Sequence, residues 1–258
     1  MKTGRNSFVA VCASLAVAAT TLAGVASAQT VDEIIAKNLE ARGGKDKIQA
    51  VKSAIFVGKM TAQGMEAPIT LKWERPSKVR MEFTIQGMTG IQAYDGETGW
   101  MVMPFMGKKD PEKMTADDLK EVQEMADLFD GPLLDYAAKG HKVELMGKES
   151  VEGTEVYKLK LTRASGDVSM IYIDAEAYLE IKSEGKRKGP QGEVEIESSQ
   201  GDFKEVDGLL FPMSMESKPK GAPAGQMITI EKVELNATVQ ATDFSMPPAP
   251  APAVEPKQ

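Results

Sequence analysis

The stretches Pro68-Ile69-Thr70-Leu71-Lys72-Trp73-Glu74-Arg75 and Lys78-Val79-Arg80-Met81-Glu82-Phe83-Thr84-Ile85-Gln86 decide the fold. In the second, Val79, Met81, Phe83 and Ile85 fall on one face, while Lys78, Arg80, Glu82, Thr84 and Gln86 fall on the other. In the first, Ile69, Leu71 and Trp73 oppose Thr70, Lys72 and Glu74. A period of two with one apolar and one polar face marks strands of an antiparallel sheet with one solvated side. Pairing such neighbours brings their apolar faces together.

The same period extends in both directions. Further strands are expected at 53–63, 90–94, 100–103, 142–149, 155–163, 168–174, 178–187, 193–206, 209–217 and 226–235. Turn residues separate most of them: Gln63-Gly64, Asp95-Gly96, Glu152-Gly153, Ser165-Gly166-Asp167 and Asp207-Gly208. A helix is expected over 30–42, opened by the capping pair Thr30 and Glu33 and stopped by Gly43-Gly44, with a second short turn at 45–51. Midway, Thr115 caps a helix whose first turn carries Asp117 and Asp118. Its apolar stripe is Leu119, Val122, Met125, Ala126 and Phe129, and Asp130-Gly131-Pro132 breaks it. Leu133, Leu134 and Tyr136 suggest another short helix after the break.

About eleven or twelve antiparallel strands cannot remain a flat sheet; they must curl, split or close. The expected fold is α+β: a strongly curved antiparallel sheet, a half-open incomplete barrel, with helices over its concave face.

The chain opens on a targeting pattern. Lys2 and Arg5 precede an apolar run from Phe8 to Val25, and Ala26-Ser27-Ala28 forms a small-x-small cleavage site. Residues 1–28 are therefore expected to be a signal peptide, with the mature chain starting at Gln29, a single domain over 29–246 and a Pro/Ala-rich disordered tail over 247–258. A retained membrane anchor is the other reading of the first segment. Cys12, the sole cysteine, sits near the start of the apolar run, which argues against lipid attachment there. Cleavage leaves a cysteine-free chain without disulfides or thiolate chemistry.

Lys2 and Arg5 aside, 29 basic side chains face 38 acidic ones, a net charge of −9 that argues against nucleic acid as a ligand. The basic run Lys186-Arg187-Lys188 suits a solvated hairpin tip. His141 is the only histidine and has no local nucleophile or orienting carboxylate. Asp117-Asp118 is explained by the helix dipole, and Glu193, Glu195 and Glu197 by strand alternation with Val194 and Ile196. No metal, phosphate-loop or hydrolase motif occurs, so neither catalytic residues nor cofactors or metals are expected.

The sixteen methionines stand out. Flexible thioethers fill core gaps, and they also suit surfaces that receive variable apolar ligands. The apolar segment Gly99-Trp100-Met101-Val102-Met103-Pro104-Phe105-Met106-Gly107 suits a core strand or a cavity rim. The expected ligand-binding set is Leu71, Trp73, Met81, Phe83, Trp100, Met103, Phe105, Met213 and Met215 in the cavity, with Leu119, Val122, Met125 and Phe129 in a lid.

Four segments carry a family resemblance. They are Ile34-Ile35-Ala36-Lys37 with Ala41-Arg42-Gly43-Gly44; Tyr94-Asp95-Gly96-Glu97-Thr98-Gly99-Trp100; Tyr172-Ile173-Asp174-Ala175-Glu176; and Asp202-Phe203-Lys204-Glu205-Val206-Asp207-Gly208-Leu209-Leu210-Phe211-Pro212. In this order and spacing, the mature chain resembles the outer-membrane lipoprotein-sorting proteins of the LolA-like superfamily, in its broad uncharacterised branch. The resemblance implies an incomplete barrel that holds acyl chains of lipoproteins or lipids during periplasmic transit toward the outer membrane, without covalent chemistry. It also implies a membrane-bound donor or acceptor protein as partner, a monomeric carrier, and an arginine tying lid to barrel, for which Arg75 and Arg80 are the candidates. The alternative function is a periplasmic interaction or sensor domain whose interior is filled by its own side chains.

Overall fold

The computed structural model describes residues 29–127, 129–189 and 192–248. The expected signal peptide, Cys12 and tail residues 249–258 lie outside these. The helices are α1 (Val31–Ala41), α2 (Lys45–Ala50), α3 (Ala116–Ala126) and α4 (Ala241–Phe244). The strands are β1 (Ser53–Ala62), β2 (Met65–Glu74), β3 (Lys78–Ile85), β4 (Met88–Tyr94), β5 (Gly99–Met103), β6 (Lys108–Lys113), β7 (Lys142–Val151), β8 (Thr154–Thr162), β9 (Val168–Asp174), β10 (Glu180–Gly189), β11 (Gly192–Val206), β12 (Leu209–Pro219) and β13 (Gln226–Leu235).

All thirteen strands form one sheet in the order β6-β5-β4-β3-β2-β1-β13-β12-β11-β10-β9-β8-β7. Every neighbouring pair is antiparallel. The sheet does not close, because β6 and β7 are both edges. It is the curved α+β half-barrel expected from the alternation. The strand count is higher than expected because Lys108–Lys113 pairs with β5. Its sequence, Lys-Lys-Asp-Pro-Glu-Lys, carries no apolar alternation, and charges with a proline suit an edge that must not recruit another chain. The short helix expected around Leu133 to Tyr136 is instead a series of turns.

Register assigns each side chain to a face. Ala54 lies opposite Trp73, Phe56 opposite Leu71, and Met60 opposite Ala67. Leu71 in turn meets Met81, and Ile69 meets Phe83. On the other arm, Tyr157 pairs with Ile173 and Leu159 with Ile171. These residues share the concave side with Ile34, Ile35 and Leu39 of α1, Ile48 of α2, and the buried segment residues Phe129, Leu133 and Leu134. The capping box of α1 is formed, with Thr30 accepting from Glu33 N and Glu33 from Thr30 N, a device that stabilises a helix start by about 1 kcal/mol. Thr115 and Asp118 make the same box on α3.

The strands run between two ends. The base end carries α1, α2 and the turns after β2, β4, β9 and β11. The tip end carries the β1–β2, β3–β4 and β12–β13 turns. On the β1–β4 arm helical cover is concentrated at the base.

Candidate functional site

The concave face is filled at its base. Trp73 is 2 % exposed. Its ring stacks on Phe129 at 4.6 Å and 15°, and its Nε1 donates to Ala126 O at 2.8 Å. Phe129 also packs against Phe211 of β12. Val122 and Ala126 of α3 close over Val79 and Tyr94, with Leu119 and Met125 half-buried beside them. Leu71 touches both clusters and marks where the filling ends.

Toward the tips the same face opens. A hollow of about 270 Å³ is lined by Met60, Ala62, Met65, Glu66, Ala67, Ile85 and Gln86. Register extends its floor along Met81 and Phe83 of β3, and across Met60 to Ile228 and Met215. Phe105, in the single helical turn Pro104–Met106, leans on Phe83 with ring centroids 5.6 Å apart. Gly90 makes that contact possible, since a Cβ there would lie 2.8 Å from each ring. The floor is thus apolar, half-buried and partly thioether, a surface that accepts flexible apolar groups.

Polar anchors sit at the boundary between the halves. Arg75 holds Asp130 through two hydrogen bonds, Nη1 to Oδ2 at 2.7 Å and Nη2 to Oδ1 at 2.8 Å. It also donates to Val51 O and Ile48 O. Arg42, just past α1, donates to Phe129 O at 2.7 Å and Asp130 O at 3.1 Å. Two guanidinium groups therefore pin the segment that follows α3 to the barrel, the charge-assisted fork geometry at which arginine excels. Burial holds the Arg42 guanidinium below its usual range, against the opposing pull of Glu180, Asp130 and Asp127. Glu180 pairs with Ile173 and so shares the concave face. Desolvation pushes its carboxyl up to about 7, against Arg42, a hydrogen bond with Ser183, and Arg163. Among the described residues no group of three His, Cys, Asp or Glu side chains could hold a metal. His141 accepts from Ala164 N through Nδ1 at 3.2 Å. Burial first, then Arg163 and Lys139, lower its pKa.

No family model matches the chain, and none of the curated proteins does. Solved structures match along most of its length. A DUF1329 family protein from Desulfovibrio piger superposes with a TM-score of 0.59 at 11 % identity, covering 84 % of this chain and 98 % of that one. A LolA superfamily protein from Nitrosomonas europaea gives 0.55 at 13 % identity, covering 84 % and 98 %. A domain from Vibrio parahaemolyticus, described as an outer membrane lipoprotein-sorting protein domain, gives 0.55 at 12 % identity, covering 82 % and 94 %. The chain has the LolA-like fold.

Within this LolA-like half-barrel the expected site residues separate into three groups. Met81, Phe83, Phe105 and Met215 flank the hollow. Met103 and Met213 share the concave face but are buried. Leu71, Trp73, Val122 and Phe129 belong to the filled base, with Leu119 and Met125 at its margin, so Trp73 and Phe129 are packed by protein rather than left open. Trp100 is on the opposite face. It pairs with Ala93, which pairs with Arg80, and its Nε1 donates to Phe244 O at 2.6 Å. The C-terminal α4 crosses the convex side and buries it. Of the two arginines weighed as the tie, Arg75 is the one bound to the segment after α3, through Asp130. Arg80 lies on the convex face, bound to Glu82 and Asp243 O.

The hollow's own lining, Met60, Ala62, Ala67 and Ile85, was outside the expected set, although the alternation of β1 places Phe56, Gly58, Met60 and Ala62 on one face. Arg42 lies inside a quoted motif without any local sign of its role. Nothing local marks Glu180 as half-buried and desolvated beside Arg42.

Proposed function

We propose that the protein is a non-enzymatic carrier that holds part of an acyl chain, from a lipid or a lipoprotein, in the tip-end hollow of the concave face. The observation that carries this reading is the coexistence of a packed base with an apolar hollow of about 270 Å³ on one continuous face. A sheet built only for stability would bury Met60, Met81 and Ile85 as it buries Trp73. Each methylene moved from water into such a hollow contributes about 0.8 kcal/mol, so six of them give roughly 5 kcal/mol before ordering costs. That strength permits release as well as capture. Ligand pockets generally span about 300–1,000 Å³, and the resting hollow falls just under that range. It suits one end of a chain.

Export through a cleaved leader at residues 1–28, a mature domain over 29–246 and delivery across the periplasm toward the outer membrane, by way of a membrane-bound donor or acceptor, complete the reading. The LolA-like fold supports it. The packed base favours the second reading, an interaction domain with no cargo. The deciding experiment is mass spectrometry of lipids co-purifying with the mature protein from its own cell envelope, together with titration of a fluorescent fatty acid. Co-purified lipid and saturable binding support the carrier; an empty protein that ignores the probe supports the interaction domain.

A further inference from the structure

The side-chain amide of Gln29 is held at both ends by two tyrosines. Tyr157 Oη donates to Gln29 Oε1, and Tyr178 Oη donates to the same oxygen at 3.2 Å. Gln29 Nε2 donates in turn to Tyr178 Oη at 3.1 Å. Tyr157 comes from β8 and is buried, while Tyr178 comes from the turn between β9 and β10. Their rings stack with centroids 5.9 Å apart. Lys37 of α1 donates to Tyr178 Oη at 3.2 Å, and its ammonium lies 4.7 Å over the Tyr178 ring.

Tyr178 holds an unfavourable backbone conformation. Its φ of 57° lies in the left-handed region, where a bulky side chain is disfavoured. The buried Asn38 of α1 keeps it there, donating through Nδ2 to Tyr178 O at 2.7 Å. The Tyr178 N–H closes the turn onto Asp174 O at 3.0 Å. Strain fixed by surrounding bonds in this way clusters at functional sites. One hydrogen bond to Gln29 would suffice to anchor the chain ahead of α1. Here two phenol hydroxyls converge on one carbonyl oxygen, the arrangement that stabilises an oxyanion.

We propose that this clamp is a self-modification site, in which the α-amine of Gln29, freed by removal of the leader after Ala28, closes on its own side-chain amide to give pyroglutamate. The amine nitrogen bonds to Cδ and loses a proton. The carbonyl electron pair collects on Oε1 between the two phenols and returns as the Cδ–Nε2 bond breaks. Nε2 takes up a proton and leaves as ammonia, so the step consumes no oxidant, water or cofactor. Tyr178 is the hydroxyl in contact with the departing nitrogen, and hydrogen bonds with Lys37, Gln29 and Tyr157 hold its pKa below the ordinary value. The nucleophile is available near neutral pH, because an α-amine ordinarily titrates at about 8. The product keeps the carbonyl oxygen that Tyr157 binds and removes the charge of the new N-terminus. The site rests on the reading of residues 1–28 as a cleaved leader and is independent of the carrier reading.

Mass spectrometry of the exported protein gives the first reading. The chain should begin at Gln29 and be lighter than its sequence mass by one ammonia. The rate is then followed on the full mature chain, released from a tagged precursor by a protease that cuts directly before Gln29. Tyr157→Phe and Tyr178→Phe should each slow the loss of ammonia several-fold. The parent chain unfolded in guanidinium chloride should lose it as slowly as the variants do. Circular dichroism checks that the variants are folded, and Tyr178→Phe carries the comparison should Tyr157→Phe, at a buried position, unfold. An exported chain that begins at Gln29 with its amide intact would overturn the proposal. So would one rate shared by the parent, the folded variants and the unfolded chain, because ring closure would then owe nothing to the clamp. A chain that begins at any other residue would overturn the leader reading and the site with it, and the same spectrum tells that failure apart from an intact amide at Gln29.

Discussion

At the base of β2, Trp73 is stacked on Phe129 and bonded to Ala126 O. Six residues earlier on the same strand and the same face, Ala67 borders an open hollow beside Met60 and Ile85. Both positions obey one alternation and one register. What differs is the cover. The base of β1–β3 receives α1, α2, α3 and the segment after α3 in its buried clusters, while at the tips of these strands Phe105 packs against Phe83. Alternation therefore decides which residues face inward, and cover decides whether inward means packed or available.

The largest expected effect lies at the packed end. Trp73→Ala removes a buried ring, its stack and a satisfied indole N–H, and should lower stability by about 3–5 kcal/mol. Phe83→Ala, half-buried beside the hollow, should cost only about 1–2 kcal/mol. Urea midpoints measured side by side make the comparison, and fluorescent fatty-acid affinity should fall more for Phe83→Ala in proportion to its stability cost. Equal midpoint losses would mean that the tip half is as well packed as the base, and the contrast would collapse.

Much of this contrast was legible before any coordinates, and what was not has identifiable causes. The facing of Leu71, Met81 and Phe83 follows from period two alone. Trp100 defeats that logic, because Gly99-Trp100-Met101-Val102-Met103 is apolar on both faces. The decision is made by Phe244, 144 residues away, whose carbonyl receives the indole N–H. Arg80 stood on the polar face of its strand from the start, and that alternation correctly excludes it from the concave side. Arg75 lies one residue beyond β2, where alternation no longer applies, and its partners at Ile48, Val51 and Asp130 are supplied by the tertiary fold. β6 is held by pairing and not by pattern. Emptiness was the least legible property, since a thioether facing inward has the same sequence signature whether or not another side chain meets it.

The next effect is smaller and sharpens the same boundary. The carboxyl of Glu180 stands at about 7 in the folded chain against an ordinary 4.5. The folded state therefore favours the protonated form. Its contribution to stability is fully present below about pH 4.5 and is lost as pH rises through about 7. The loss should amount to roughly 1–3 kcal/mol. Glu180→Gln should flatten this part of the urea-midpoint profile and leave the protein more stable than the parent at neutral pH. Parallel profiles for parent and variant would show that the carboxyl is solvated, and that the filled base ends short of β10.

The smallest stability effect is also the most discriminating for function. Leu71 and Ala62 both face the concave side, but Leu71 lies where the two buried clusters meet, and Ala62 lines the hollow. The same enlargement should have opposite consequences at the two sites. Leu71→Trp inserts a ring into filled space and should cost about 1–3 kcal/mol through displaced neighbours. Ala62→Trp places the ring in space that is already there and should move the urea midpoint by no more than about 0.5 kcal/mol. If the hollow is where an acyl chain sits, Ala62→Trp should nonetheless weaken fluorescent fatty-acid binding at least tenfold, because the ring occupies volume the chain needs. Met60→Ser supplies a second check, since it keeps the space but removes its apolar lining and should weaken binding by a smaller factor. Binding unchanged in Ala62→Trp, on a protein whose midpoint is also unchanged, would separate the hollow from any ligand and leave the interaction-domain reading as the one that fits the packed base.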